Sequence, residues 1–381
     1  MLFEFEFEFE FEFEFEFEFE LLYMNILYVI TGLGQGGAER VVCDLADSMH
    51  EKGHSVKIVY LIGDVLTKPV NSEIELIKVE LNNLMTLPAA YSNLKNIIKD
   101  IQPDVVHAHM VHANILTRLV RLSTPIKKLI CTAHNSNEGS FLRMALYRLT
   151  HNLADLTTNV SDIAVSSFEK KKAVPKNTMR TIYNGVNFKR FNYSPTAKYE
   201  LFNELNLAKE TKIILAVGRF NQQKNYPNLL NAIKLLRNEY QEPFVLLIAG
   251  DGELRLAIEK LINKLNLNKF IYLLGRRSDI PKLMSSCDVF VLSSDYEGLP
   301  TVLIEALACQ AHAVSTDVSG AAEILKNNGV IVPINNSEKL FKAIQVLLNK
   351  NDKNKLGFNY VYETFNLDII CEKWLDIYCE K

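Results

Sequence analysis

The sequence predicts an α/β protein of two domains, each a parallel sheet with helices on both faces, closing on a central cleft. Three observations predict this. Short apolar runs alternate with helical patterns, the arrangement that yields parallel sheets covered on both sides. The alternation relaxes between Asn184 and Pro195 and then begins again. The chain of 381 residues has room for two full cores.

The first series opens with Asn25-Ile-Leu-Tyr-Val-Ile30, an apolar strand that ends in the glycine-rich stretch Gly32 to Gly37. A helix is expected from Ala38 to about Lys52 and a second strand from Ser55 to Leu61. Strands at Asp104–His107, Lys128–Cys131 and Leu156–Val160 then alternate with helices near 111–122, near 140–152 and from Asp162. The second series has strands at Lys212–Val217, Phe244–Ala249, Phe270–Leu273, Asp288–Leu292 and Ala311–Ser315. A last helix near Leu367–Tyr378 places Ile370, Trp374 and Ile377 on one face. The expected division is an extension over 1–23, domains over 24–187 and 188–365, and a terminal helix over 366–381.

Hydrophobic residues make up 48% and charged residues 23%, ordinary for a globular protein. The formal charge of −3 hides a division within the chain. Phe3 to Glu20 is nine Phe-Glu repeats; removing those nine from 45 acidic residues leaves 36 against 42 basic ones, about +6. A mildly basic body suits anionic substrates or an anionic membrane surface. No nucleic-acid partner is expected. The strict alternation of the repeat is a β pattern able to pair with copies of itself, and it reads most simply as a low-complexity extension before Met24.

The six cysteines, Cys43, Cys131, Cys287, Cys309, Cys371 and Cys379, form no Cys-x-x-Cys pair and read as free thiols. No run reaches the ~18 apolar residues of a membrane span. Leu21–Ile30 follows glutamates rather than a basic segment, which argues against a signal peptide. A cytoplasmic protein is expected, with peripheral contact at the membrane face.

The chemistry concentrates at Glu297-Gly-Leu-Pro-Thr-Val-Leu-Ile-Glu305, directly after the run Asp288–Leu292. Pro300 suits a first helical position, and the free amides of Thr301 to Leu303 would offer an anion site. Two carboxylates beside such a site describe a pocket that grips sugar hydroxyls and a phosphate together. This segment resembles the paired-glutamate motif of the retaining glycosyltransferases of family 4, whose fold is GT-B, two Rossmann-like domains about a cleft. The resemblance runs from about Met24 to the C-terminus and implies a terminal helix that crosses back to the first domain.

Residue by residue, the resemblance implies the following. Arg219 and Lys224, in the loop begun by Gly218, match the Arg-x4-Lys pair that neutralises a departing nucleoside diphosphate. Gly250 and Gly252 would lie beside the nucleotide, and the loop at Arg276 would read the base through its backbone. Glu305 would hold the ribose hydroxyls and Glu297 would stand beside the donor sugar. The amides of Gly298, Leu299, Thr301 and Val302 around Pro300 would take the phosphates. Gly36 and Gly37, before the helix containing Glu39 and Arg40, resemble the loop that closes over donor and acceptor. His134 matches the histidine that faces the donor sugar.

His107 and His109 also point the same way on a strand, but no third ligand has spacing for zinc. The glycine spacing is not the dinucleotide fingerprint, and no acidic residue ends the second strand, which argues against an NAD enzyme. No Asp-x-Asp occurs at a strand end, so catalysis without a metal or other cofactor is expected. Gln310 and His312 stand where family members commonly have Gly and Pro; a left-handed Gln310 would cost about 1 kcal/mol. The implied activity is retaining transfer of a hexose or N-acetylhexosamine from a nucleotide sugar, UDP-linked by preference, to a lipid-linked surface glycan or O-antigen intermediate. A sugar-nucleotide epimerase of similar fold and a non-catalytic nucleotide-sugar-binding protein are the alternatives.

Overall fold

Alternate residues of the first strand enter opposite cores, and that division organises the first domain. Leu27 and Val29 pack with Leu94, Ile98, Leu116 and Val120 on one face; Ile26, Tyr28 and Ile30 pack with Val42, Leu45 and Trp374 on the other. The computed structural model describes residues 23–34 and 36–380, so the Phe-Glu repeat and the readings attached to it lie outside the described residues.

In chain order the first domain contains β1 (Asn25–Gly32), α1 (Gly37–Glu51), β2 (Ser55–Ile62), β3 (Glu75–Lys78), α2 (Leu87–Ile101) and β4 (Val105–His109). It continues with α3 (Val111–Arg121), β5 (Lys128–Ala133), α4 (Phe141–Thr150), β6 (Leu156–Asn159), α5 (Asp162–Lys170) and β7 (Met179–Thr181). The seven strands are parallel in the order β3-β2-β1-β4-β5-β6-β7.

The second domain runs α6 (Ala197–Leu205), β8 (Lys212–Val217), α7 (Tyr226–Glu239), β9 (Phe244–Ala249), α8 (Arg255–Lys264), β10 (Ile271–Gly275) and α9 (Ile280–Ser286). After these come β11 (Val289–Leu292), α10 (Thr301–Ala308), β12 (His312–Thr316), α11 (Ala321–Leu325), β13 (Val330–Val332), α12 (Ser337–Leu348) and α13 (Lys355–Phe365). Its six strands are parallel in the order β10-β9-β8-β11-β12-β13. Ile213 and Leu215 enter one core while Ile214 and Ala216 enter the other, so this sheet is also wound on both faces.

Several elements carry little sequence signal. β3 is an edge strand whose residues are exposed or half-buried, so it has no apolar run. α2 buries only Ala90, Leu94 and Ile98, a narrow stripe four residues apart, behind Pro88 in its first turn. β7 and β13 are three residues each.

α14 (Leu367–Cys379) leaves the second domain and packs on the first. Ile370, Trp374 and Ile377 are buried there, as their spacing predicts. The Tyr378 hydroxyl lies 3.2 Å from that of Tyr28 and 2.8 Å from Nδ1 of His107. Lys128 donates to the carbonyls of Ile377 and Glu380 and so ties down the end of the helix. Where the chain crosses between domains, Val186 donates to the Phe365 carbonyl at 2.9 Å and Leu367 donates to that of Val186 at 2.9 Å. The two crossing segments therefore form a parallel bridge at Val186 and Asn366. A side chain at Gly185 would come within 2.8 Å of the Leu367 Cα, so only glycine permits this approach.

Five cysteines are buried and Cys379 is exposed, all as free thiols. Among the described residues no helix is long and apolar enough to cross a membrane.

Candidate active site

In each sheet the chain turns away from its first strand in both directions, between β1 and β4 and between β8 and β11. At such a switch point the loops at the carboxyl ends diverge and leave a crevice. The predicted site residues gather at the carboxyl ends of the strands: Gly36, Gly37 and His134 from the first domain, and Arg219, Lys224 and Glu297 from the second.

Across the cleft the domains come very close. A Cβ at Gly298 would lie 2.0 Å from the His134 carbonyl oxygen, and one at Gly37 would lie 3.8 Å from Oγ1 of Thr301. The His134 loop, the glycine loop and the start of α10 are therefore one neighbourhood. Ser161 reinforces the contact by donating 3.4 Å to the Gly298 carbonyl.

Glu297 is held by three donors. Lys224 Nζ reaches Oε1 at 2.7 Å, Ser294 Oγ donates to the same oxygen at 2.7 Å, and Gln223 Nε2 donates to Oε2 at 3.0 Å. Both members of the ion pair are largely buried, so solvent screens it weakly. The Lys224 stem runs past Gly218, whose Cβ would stand 3.0 Å from Cε. Asn221 positions the turn by accepting from the Lys224 amide at 3.2 Å.

Arg219 does not join this pair. It is exposed and lies 3.2 Å from Glu253. Gly250 and Gly252 have a backbone reason to be glycine: a Cβ at Gly250 would fall 1.9 Å from the Gly218 carbonyl, and one at Gly252 would fall 2.6 Å from that of Phe220. Their loop thus packs directly on the Arg219 loop, and together they wall a cavity of about 740 Å3 that Gly34 and Arg276 also line.

The start of α10 departs from the expectation in one respect. Pro300 is the residue before the helix, with ψ of 85°, not its first helical position. Its carbonyl accepts from the Leu303 amide at 2.9 Å, so that amide is not available to an anion. Thr301 and Val302 remain at the mouth, with Leu299 buried beneath. Glu305, half-buried on the same helix, has its carboxyl pushed up to about 7 by its dense surroundings, against the opposing pull of Arg190 and with Asp44 adding to the rise.

His134 is buried and held neutral, its imidazole depressed to about 4 by desolvation. Glu138, four residues on, escapes the sequence reading altogether. It is 7% exposed, its Oε1 has no hydrogen-bond partner, and burial raises its carboxyl to about 7 despite Arg143 nearby. Gln223 and Ser294 escape it too, because their value lies in a three-way contact that spacing does not display. His109, read from sequence as half of a rejected metal pair, instead meets His134 at 3.0 Å.

Comparison with known proteins accords with this geometry. The family described as "Glycosyl transferases group 1" matches residues 197–359, and "Glycosyltransferase Family 4" matches residues 35–190. A Campylobacter jejuni α-1,4-N-acetyl-D-galactosaminyltransferase, named for an undecaprenol-linked acceptor, is 27% identical over 94% of this chain and 99% of its own. An Escherichia coli UDP-Gal:α-D-GlcNAc-diphosphoundecaprenol α-1,3-galactosyltransferase is 27% identical over 76% of this chain and 79% of its own. Among solved structures, Anabaena HepE in complex with UDP superposes with a TM-score of 0.81 at 18% identity, over 93% of this chain and 99% of that one. A Rickettsia africae glycosyltransferase does so at 0.82 and 23%, over 94% and 98%. With one family description on each domain and the two-sheet architecture shared throughout, the chain belongs to glycosyltransferase family 4 and has the GT-B fold.

Proposed function

We propose that the protein transfers a hexose or N-acetylhexosamine from a UDP-sugar to a lipid-linked glycan, with retention at the anomeric carbon and without a metal. The observation that carries this is the buried Lys224–Glu297 pair, set at the start of α10 beside the glycine-walled cavity. An ammonium, a helix N-terminus and the exposed fork of Arg219 supply the positive charge that a departing diphosphate needs. Charge of this kind does the work otherwise given to a divalent cation. The UDP donor and the polyprenyl-linked acceptor follow from the names of the Escherichia coli and Campylobacter jejuni relatives.

Family membership supports retention, and Glu297 fits a supporting role within it. A carboxylate that already accepts from an ammonium, a hydroxyl and an amide is a poor nucleophile. It holds Lys224 in place and offers acceptors to sugar hydroxyls, while the departing phosphate oxygen takes the acceptor proton. The test is incubation with a panel of nucleotide sugars and a membrane lipid extract, with and without EDTA. EDTA-resistant release of UDP with label in the lipid fraction is expected, and Glu297→Gln is expected to keep a measurable rate. Metal-dependent release, or no release from any donor, would overturn the reading.

Cytoplasmic action at a membrane face is part of the same proposal. The outer side of α4 exposes Phe141 (89%) and Leu149 (79%) with Leu142 between them, and Arg143 and Arg148 are exposed beside these. Lys171 of the exposed run Lys170–Lys172 donates to the Ser136 carbonyl just before α4, which places a basic rim next to the apolar face. Apolar anchors ringed by basic residues suit an anionic bilayer surface. Co-sedimentation with phosphatidylglycerol vesicles is expected for the wild-type protein and should fall severalfold in Phe141→Ser/Leu149→Ser.

A further inference from the structure

His109 closes β4, and the His134 loop follows the neighbouring β5, whose Thr132 pairs with His109 in the sheet. That register brings His109 Nδ1 to 3.0 Å from His134 Nε2. The outer nitrogens, His109 Nε2 and His134 Nδ1, are both buried with no hydrogen-bond partner. The His107 ring lies 4.0 Å from that of His109, tilted by 34°, and its own two nitrogens are satisfied by Tyr378 and Thr132. The pair is thus clamped between a fully bonded ring and the cleft.

Desolvation keeps both rings neutral. A neutral imidazole has one N–H and one lone pair, so one shared contact fixes the proton position on both rings at once. If His134 donated from Nε2, His109 would carry its proton on Nε2, an N–H with no acceptor on a ring that is 1% exposed. An unpaired donor sealed in the interior bears the full cost of its desolvation. If His109 donates from Nδ1, the unpaired N–H falls instead on His134 Nδ1. That ring is 8% exposed and belongs to the loop that meets Gly298 across the cleft. Its Nδ1 is buried as well, but it lies on the loop after β5 and not within a strand as His109 does, so a small shift of that loop brings it to a substrate oxygen.

We propose that His109 is a positioning residue that locks His134 in its Nδ1–H tautomer, so that His134 meets the donor as a hydrogen-bond donor and not as a base. The proposal rests on the reading that His134 faces the donor sugar. It adds a residue and a proton position, and it assigns His134 a direction of hydrogen bonding toward a sugar hydroxyl or phosphate oxygen.

The test uses the full chain labelled with 15N-histidine, with His134 assigned by its loss in His134→Gln. The long-range 1H–15N spectrum is expected to show His134 protonated at Nδ1 and bare at Nε2; the opposite pattern would overturn the proposal. His109→Leu is expected to lower kcat about tenfold with KM for the nucleotide sugar little changed, the signature of a lost transition-state interaction. His109→Asn, whose amide reaches where Nδ1 stood, should recover most of that loss, whereas His109→Gln, one bond longer, should not. A well-folded His109→Leu with wild-type kcat would overturn the positioning role. Wild-type turnover in His134→Gln would instead overturn the reading of His134 itself, while the spectrum would still decide the tautomer.

Discussion

At the scale of single residues, the structure separates groups whose chemistry is visible in sequence from groups whose chemistry comes from where they are buried. Glu297 and Lys224 are legible because a turn, a helix start and a spaced cation recur together. Glu138 is not, since nothing in Asn137-Glu138-Gly139 announces that its carboxyl will be buried with one oxygen unpartnered. Its raised value of about 7 in the folded chain, against 4.5 unfolded, has a defined sign. The folded state holds the proton more tightly, so this group's contribution is fully present below about 4.5 and is lost as pH rises through 7. Glu138→Gln removes the charge and is expected to stabilise the protein at pH 8 by about 1–3 kcal/mol, with no gain at pH 4. Denaturant titrations at the two pH values check this. Gln310 shows the reverse kind of legibility: the absence of glycine at a helix end points to backbone strain, and the residue has a φ of 59°.

At the scale of elements, the central strands are readable because burial on both faces makes them continuous apolar runs, as in β9 and β11. β3 and α2 were not, since one is an exposed edge and the other buries a stripe only one residue wide. The role of the second histidine of β4 is also hidden, because only strand register brings His109 to His134. α14 was readable as a helix with one apolar face, and its cost of removal can now be stated. Trp374 stacks on Tyr378 and sits 4.5 Å from the His107 ring. Trp374→Ala should cost about 3–5 kcal/mol by opening a cavity in the first domain's core. Urea unfolding followed by circular dichroism measures it, and a loss below 1 kcal/mol would show that α14 is dispensable to that core.

At the scale of the whole molecule, two sheets and their order follow from the alternation of the chain, but the fit of one domain against the other does not. Gly298 illustrates the gap. In sequence it is a turn glycine, while in the structure it is the point where the domains nearly touch. Gly298→Ala places a methyl group into the His134 carbonyl and must hold the cleft apart. Turnover is expected to fall more than tenfold with only a small change in unfolding temperature, because the strain is relieved by moving one rigid body and not by disrupting either core. Activity assays together with the radius of gyration from X-ray scattering distinguish this from simple misfolding.

The paired crossings at Val186 and Asn366 have a mechanical consequence. A single tether between two bodies permits swivel as well as opening, whereas two tethers bonded side by side act as the spine of a book. Each domain can turn like a page about that line, but sliding or twisting would have to break the bridge. Travel during closure is then proportional to distance from the spine. Asp44 and Arg190, which line the crevice beside Asn366 and Leu367, sit close to the axis, where the travel is smallest. Loops at the outer margin sweep through the largest arc. Any opening of the cleft about this line would leave the Glu305 neighbourhood nearly constant.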